Sequence, residues 1–256
     1  MSLIKLIDIN KTYTAGNSLL YALKQVNLSI ESGEMVALMG KSGAGKSTAA
    51  NIIGILDTAT SGQYFLDGVD VSNLSINEQA AIRNKKLGFI FQSFFLLNRL
   101  RSWENISLPL LYRGYSCSAA KKKAYEILER LGVPELRDKK PTQMSGGQQQ
   151  RIAIARALVG EPAIIIADEP TGALDVQTSK QVIQLLTELN QKQKITIIIV
   201  THDPSVGAQC RRILVMLDGK VAIDKANDNP GATSVSMVSN LLINTIKPSG
   251  TATEQQ

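Results

Sequence analysis

Two stretches of this 256-residue chain have the composition to hold phosphate. The first, Gly40-Lys41-Ser42-Gly43-Ala44-Gly45-Lys46-Ser47-Thr48, fits the pattern G-x-x-x-x-G-K-[ST]. It follows the apolar run Met35 to Met39 and opens a stretch containing Ile52, Ile53, Ile55 and Leu56, so strand and helix signals stand on either side. Glycines let backbone N–H groups turn toward an anion without a side chain in the way, and a helix N-terminus adds partial positive charge. Lys46 is then placed for the β- and γ-phosphates of a nucleotide, and Ser47 for Mg²⁺.

The second stretch is Met144-Ser145-Gly146-Gly147-Gln148-Gln149-Gln150-Arg151. Ser145 and Gln148 have the spacing of a capping box for a helix through Ile152, Ile154, Leu158 and Val159. A helix start with two glycines also leaves N–H groups bare toward an approaching anion, so capping and phosphate binding are compatible. Two phosphate devices in one polypeptide require a nucleotide each, or one nucleotide shared between two polypeptides.

Ala163 to Pro170 reads as a buried strand ending in two carboxylates, Asp168 and Glu169. At the strand tip Asp168 can hold the Mg²⁺ hydration shell opposite Ser47, while Glu169, one residue on, can polarise an attacking water as general base. A further strand, Ile195 to Val200, runs into Thr201-His202-Asp203 and places the single histidine at a strand tip, where α/β proteins put ligands. His202 can there meet a γ-phosphate and the attacking water. Gln92, after Leu87 to Phe91, is the remaining polar residue at such a tip and offers a carbonyl oxygen to Mg²⁺ or water.

This ordered set, with Ala173-Leu174-Asp175 between the carboxylates and the histidine, resembles the ATP-binding cassette ATPases over roughly residues 1 to 225. Within them, Gln92 to Leu97, Glu104 to Leu110 and Ser145 to Arg156 look most like the MacB/LolD group, whose members drive macrolide or peptide export or lipoprotein release. The resemblance implies ATP and Mg²⁺ as ligands and Glu169, His202 and Gln92 as catalytic. It implies nucleotide contacts from Gly40 to Thr48 and from Ser145, Gly146, Gly147 and Gln148, and metal contacts from Ser47, Gln92 and Asp168. Tyr13 matches the adenine-stacking aromatic, and Asp175 the loop linking two sites across a dimer. It further implies a homodimer formed on ATP binding, a membrane permease partner and a peripheral place on the cytoplasmic face of the inner membrane. Lys41 stands where proline is usual and Met144 where leucine is usual. Alternative readings are a regulatory cassette ATPase that signals to a cell-envelope partner and a soluble, non-transport cassette ATPase.

The elements that must position these groups follow an α/β plan: a P-loop core with a mostly parallel sheet, an N-terminal antiparallel β subdomain and an inserted α-helical subdomain. Residues 1 to 35 and 62 to 72 alternate like edge strands, with Asp67-Gly68 as a turn signal. From about 93 the pattern turns helical, with Ser118 as a cap for a helix carrying Ala124, Ile127, Leu128 and Leu131 before Gly132, and the insertion reaches about residue 150. Asp218-Gly219 marks a last hairpin. Phe89 and Phe91 read as strand core, whereas Phe94, Phe95, Leu96, Leu97 and Trp103 read as lining a groove for a partner's helix. Beyond about residue 226, Asn227 to Gly231 reads as a linker, and Val235, Val238, Leu241, Leu242 and Ile246 recur at helical spacing.

Composition sets the remaining bounds. With 44% hydrophobic residues the chain can bury one substantial core. Met1 to Asn10 lacks a signal pattern, and no apolar run approaches the ~18 residues of a membrane span, which predicts a cytoplasmic protein. Cys117 and Cys210 have no metal or C-x-x-C spacing and read as free thiols. The net charge of +6 is spread along the chain, so a solvated face, or one near an anionic membrane, is a more economical account than nucleic-acid binding.

Overall fold

The computed structural model describes residues 2–16 and 18–245. Strand β1 (Ser2–Ala15) pairs antiparallel with β2 (Ser18–Glu31), along which Leu23, Val26, Leu28 and Ile30 turn inward and their neighbours outward. That alternation is what a sheet with one wet face requires. Next come β3 (Met35–Met39), α1 (Lys46–Ile53), β4 (Ser61–Leu66) and β5 (Val69–Asp70). Asp67 and Gly68 both adopt positive φ, as a two-residue hairpin turn demands. The sheet order is β2-β1-β4-β5. β1 is therefore an inner strand and not an edge, because Leu6 pairs with Leu28 on one side and Tyr64 on the other.

The remaining chain runs α2 (Ile76–Lys86), β6 (Leu87–Phe91), α3 (Ser102–Tyr112), α4 (Cys117–Arg130), α5 (Gly146–Leu158), β7 (Ile164–Asp168), α6 (Val176–Gln193), β8 (Thr196–Val200), α7 (Pro204–Gly207), β9 (Arg212–Leu217), β10 (Lys220–Ala226) and α8 (Val235–Asn244). The second sheet has the order β10-β9-β3-β8-β7-β6, with only β10 antiparallel. Its inner strands are apolar at successive positions because both faces are covered. β3 shows the division: Val36 and Leu38 join a core with β1, β2 and α1, whereas Met35, Ala37 and Met39 join one with α3 to α6.

The helical insertion differs from its sequence expectation at two places. Residues 92–101 form a loop, and the first helix starts only at Ser102. Fully buried Asn105 organises that loop: its Oδ1 accepts from the Leu97 N–H at 2.8 Å, and its Nδ2 donates to the carbonyls of Leu97, Leu100 and Arg101 at 3.1 to 3.2 Å. The cap of α4 is Ser116 rather than Ser118, its Oγ accepting from the Ala119 N–H, because the helix begins at Cys117. Gly132 ends α4 as expected, at φ +69 with its N–H on the Glu129 carbonyl and the Val133 N–H on that of Leu128.

The segment read as a linker is fastened to the body. Asn227 donates through Nδ2 to the carbonyls of Ala208 and Cys210, and the Gly231 N–H donates to Ala208. α8 follows, capped by Ser234, with Val238 fully buried against α7 and Leu241 and Leu242 half-buried in the same core. Ile246 lies outside the described residues. Among the described residues no helix is long and apolar enough to cross a membrane.

Candidate nucleotide site

The loop after β3 is shaped by what its glycines approach. A Cβ at Gly40 would stand 2.5 Å from the Met216 carbonyl oxygen, and one at Gly45 would stand 2.6 Å from that of Ala22, with φ at +145 and +98. Only glycine fits both the space and the backbone. Gly45 is also the N-cap of α1, with no side-chain cap and no acidic residue in the first turn. The start of α1 is thus a cradle with its amide donors uncovered, which suits an anion. Lys46 folds over it, its Nζ donating to the Lys41 carbonyl at 2.9 Å. The Lys41 side chain itself is exposed, and only its backbone enters the loop's bonding. Burial lowers the Lys46 pKa, opposed by the charges of Glu169 and Asp168.

Those two carboxylates end β7. Burial raises the Asp168 pKa, repulsion from Glu169 adds to it, and Lys46 opposes it. Glu169 takes a left-handed φ of +46 and donates its N–H to the Val200 carbonyl at 2.9 Å. A side chain in that conformation costs about 1–2 kcal/mol, and here it re-aims the carboxylate toward the tip of β8. The Glu169 carboxylate accepts from Thr201 Oγ1 and the His202 N–H, both at 3.2 Å, and lies 2.7 Å from His202 Nδ1. His202 is therefore no core residue: its ring is 76% exposed and anchored by one nitrogen on Glu169.

Gln92 follows β6 and lies against Gly172, where an added Cβ would come within 2.6 Å of its Nε2. Gly172 belongs to the turn after Glu169, to whose carbonyl its N–H donates. The glycine loop, Thr201-His202, Asp168-Glu169 and Gln92 leave the carboxyl ends of β3, β8, β7 and β6, which are consecutive neighbours in the parallel sheet. Such an edge is where open α/β sheets bind ligands. Ser47, Asp168 and Gln92 bring hard oxygen donors of the kind that suit Mg²⁺ completed by phosphate oxygens. Among the described residues there is no cluster of three or more His, Cys, Asp or Glu able to cage a metal by itself.

Tyr13 lies on β1 with 37% of its surface exposed. Its hydroxyl donates to Asp57 Oδ2 at 2.7 Å, and Lys11 Nζ sits 4.9 Å from the ring centroid. Burial and then Asp57 raise its pKa, while Thr48, in the first turn of α1, lowers it. Asp57 escapes a sequence reading, because a lone acid after a helix carries no pattern.

The second device is built as a capping box: Ser145 Oγ accepts from the Gln148 N–H at 3.3 Å, and the Ser145 N–H donates to Gln148 Oε1 at 3.1 Å. Its glycines are not equivalent. A Cβ at Gly146 would make ordinary contact with Leu174 at 3.4 Å, whereas one at Gly147 would stand 2.5 Å from Thr178 Cγ2. Thr178 is pinned by Asp175, the N-cap of α6, through its N–H at 2.9 Å and its Oγ1 at 2.6 Å. Asp175 thus supports the Ser145 turn within the chain. The turn's neighbours are Phe94, Leu174 and Thr178, whereas the glycine loop's are Ala22, Leu23, Met216 and Gly219. The two devices share none of these neighbours.

A groove of about 670 Å³ opens between α2, β6, α3 and α5. Phe89, Phe91, Phe95, Leu108, Pro109 and Tyr112 line it, with Phe89 stacked on Phe91 and Phe95 edge-on to Phe91. Phe89 packs on the core as expected and also borders the groove, as does Phe91, and Phe95 lines the groove as expected. Leu96 and Trp103 instead pack on the helical core, and Phe94 turns toward Gly146, which corrects the expected groove lining. Phe94 at φ +60 and Phe95 at φ +47 lie beyond the end of β6, and their left-handed turn sends the two rings to different neighbours, Phe94 to Gly146 and Phe95 to Phe91.

Comparison with known proteins agrees with this geometry. The family described as ABC transporter matches residues 23–172. The chain is 48% identical over 223 residues to a macrolide export ATP-binding/permease protein MacB of Syntrophobacter fumaroxidans, covering 86% of this chain and 31% of that one. It thus spans about a third of that relative's length. It is 46% identical over 223 residues to the uncharacterized ABC transporter ATP-binding protein MJ0796 of Methanocaldococcus jannaschii, covering 86% of this chain and 95% of the relative. A solved dimeric structure of the MJ0796 cassette in a post-hydrolysis state, bound to ADP and Pi, superposes with a TM-score of 0.81 at 43% identity, covering 88% of this chain and 98% of that one.

Proposed function

The chain belongs to the ABC transporter family, and we propose that it is the ATP-hydrolysing subunit of a transporter of the MacB/LolD type. In this reading ATP closes a homodimer at the cytoplasmic face of the membrane, and a membrane permease subunit converts the closure into export or extrusion of a substrate. The observation that carries the reading is that the two phosphate devices stand on different elements, the loop before α1 and the first turn of α5, and that their glycines press against different residues. A nucleotide on Gly40 to Thr48 then needs the Ser145 to Gln148 turn of a second copy. The MacB relatives, in which one chain names both ATP-binding and permease parts, support the permease partner. The aromatic groove beside Gln92 is the surface offered to it.

The chemistry follows from the site. Tyr13 stacks on the adenine, the loop amides and Lys46 neutralise phosphate charge, and Glu169 takes the proton of the attacking water. His202 holds the Glu169 carboxylate through Nδ1 and leaves its other nitrogen free toward the γ-phosphate. Mg²⁺ supplies positive charge to the phosphate oxygens when bound, with Ser47, Asp168 and Gln92 as its donors. Differential affinity of ATP for the closed dimer drives the cycle, and hydrolysis removes it.

Glu169→Gln tests this directly. The variant should lose nearly all turnover and accumulate as an ATP-dependent dimer in size-exclusion chromatography; parental-rate hydrolysis would refute the general-base assignment. Ser145→Arg should bind ATP as a monomer without dimerising, and retained dimerisation would reduce Ser145 to a cap.

A further inference from the structure

The loop between β6 and α3 holds two consecutive non-glycine residues in the left-handed region, Phe94 and Phe95. Each costs about 1–2 kcal/mol, so the turn persists only if its surroundings enforce it. One side chain bonds both. Arg156, on α5, donates through Nη1 to the Phe95 carbonyl at 2.5 Å and through Nη2 to the Phe94 carbonyl at 2.9 Å. The Arg156 side chain is half-buried, and desolvation lowers its pKa. The planar fork of an arginine presents two N–H donors at the spacing of two adjacent carbonyls, which a lysine's single ammonium does not. Arg156 also lines the aromatic groove, beside Phe91 and Phe95. The loop it grips begins at Gln92, which rests on Gly172 next to the Glu169 turn. The far end of its own helix is the Ser145 turn.

We propose that Arg156 is a positioning residue: its guanidinium holds the Phe94-Phe95 turn to α5, so that Gln92 stays seated on Gly172. Arg156 touches no reacting atom and acts through Gln92. The proposal rests on the ATPase reading only for its kinetic consequence.

The test uses Arg156→Met, which keeps the apolar stem and leaves no unpaired buried charge, and Arg156→Lys, which keeps the charge without the fork. Hydrogen exchange of the nucleotide-free chain should show residues 93–98 opening about tenfold faster in Arg156→Met, with β7 and β8 unchanged. The kcat for ATP should fall about tenfold while KM stays within about twofold, because Gly40 to Thr48 is untouched. Arg156→Lys should lie between variant and parent. Adding Phe94→Gly, which removes the cost of the left-handed backbone at a residue outside the groove lining, should restore most of kcat to Arg156→Met. Unchanged exchange in the loop, or a loss of kcat that glycine does not recover, overturns the proposal. If Arg156→Met does not fold, Arg156→Lys decides by the same readouts. A parental chain without ATPase activity would refute the proposed function, and the exchange experiment would still decide on Arg156.

Discussion

Gly147 offers a sharp separation of packing from phosphate binding. Its place in the first turn of α5 means that alanine gains about 1 kcal/mol of helix propensity over glycine. Against this stands the overlap: the new Cβ would come within 2.5 Å of Thr178 Cγ2, whose rotamer Asp175 fixes. Overpacking of this kind costs about 1–3 kcal/mol, so Gly147→Ala is expected to be neutral to destabilising by about 2 kcal/mol. Thr178→Ser deletes the offending methyl and keeps the oxygen that Asp175 binds. In that background Gly147→Ala should become stabilising by up to about 1 kcal/mol, a reversal of sign with a coupling of about 1–3 kcal/mol. Urea unfolding of the four proteins measures it, and equal effects in both backgrounds, to within about 0.5 kcal/mol, would refute the steric argument. ATP-dependent dimerisation should be lost in both Gly147→Ala proteins, since a methyl at this turn also obstructs a phosphate. A double variant that dimerises like the parent would show that Gly147 is glycine for Thr178 alone.

Three further outcomes are expected. Tyr13→Ala should raise the KM for ATP about 5- to 150-fold, the loss of about 1–3 kcal/mol of stacking, whereas Tyr13→Phe, which loses only the bond to Asp57, should stay within about fivefold; equal effects would argue against stacking. Cys210 is buried with its thiol pushed up to about 12, and Cys117 is exposed, so a maleimide at neutral pH should label one thiol in the native chain and two after unfolding. Asp57 is desolvated by burial, yet its bonds from Lys11 and Tyr13 outweigh that and hold its carboxyl below the ordinary value. Its contribution is then complete above the unfolded pKa of about 4 and is lost as pH falls through the folded value. Asp57→Asn should flatten the acid limb of the stability curve there, and an unchanged limb would contradict the pairing.

What could be read from residues alone depended on how local the cause was. The glycine loop, the buried strand before Asp168-Glu169 and the turn at Asp218-Gly219 each carry their reason within a few residues, and their elements stand where the pattern puts them. The pairing order was not local. β3 lies between β8 and β9, and nothing in Met35 to Met39 names those partners. The lining of the aromatic groove is only partly legible for a similar reason: two left-handed residues in succession at Phe94 and Phe95 have no signature, since phenylalanine is a poor choice there and the turn is bonded by Arg156 from a distant helix. Asn105 and Asp57 were invisible as site organisers because their bonds go to backbone and to a tyrosine far along the chain. The spacing of Ser145 and Gln148 does carry its cap, which is present in the geometry.

The place of β3 also bears on how the chain comes into being. Both of its neighbours, β8 and β9, are synthesised long after it, the last residue of β9 being Leu217. At about 5–20 residues per second, a growing chain waits on the order of 10–40 s between making the strand that leads into the glycine loop and making the strands that fix it. β1, β2 and β4 can pair during that interval, because they need nothing beyond Leu66. Nucleotide therefore meets a finished cradle only after most of the polypeptide has emerged, and the nascent chain spends that time with a wholly apolar strand in search of partners.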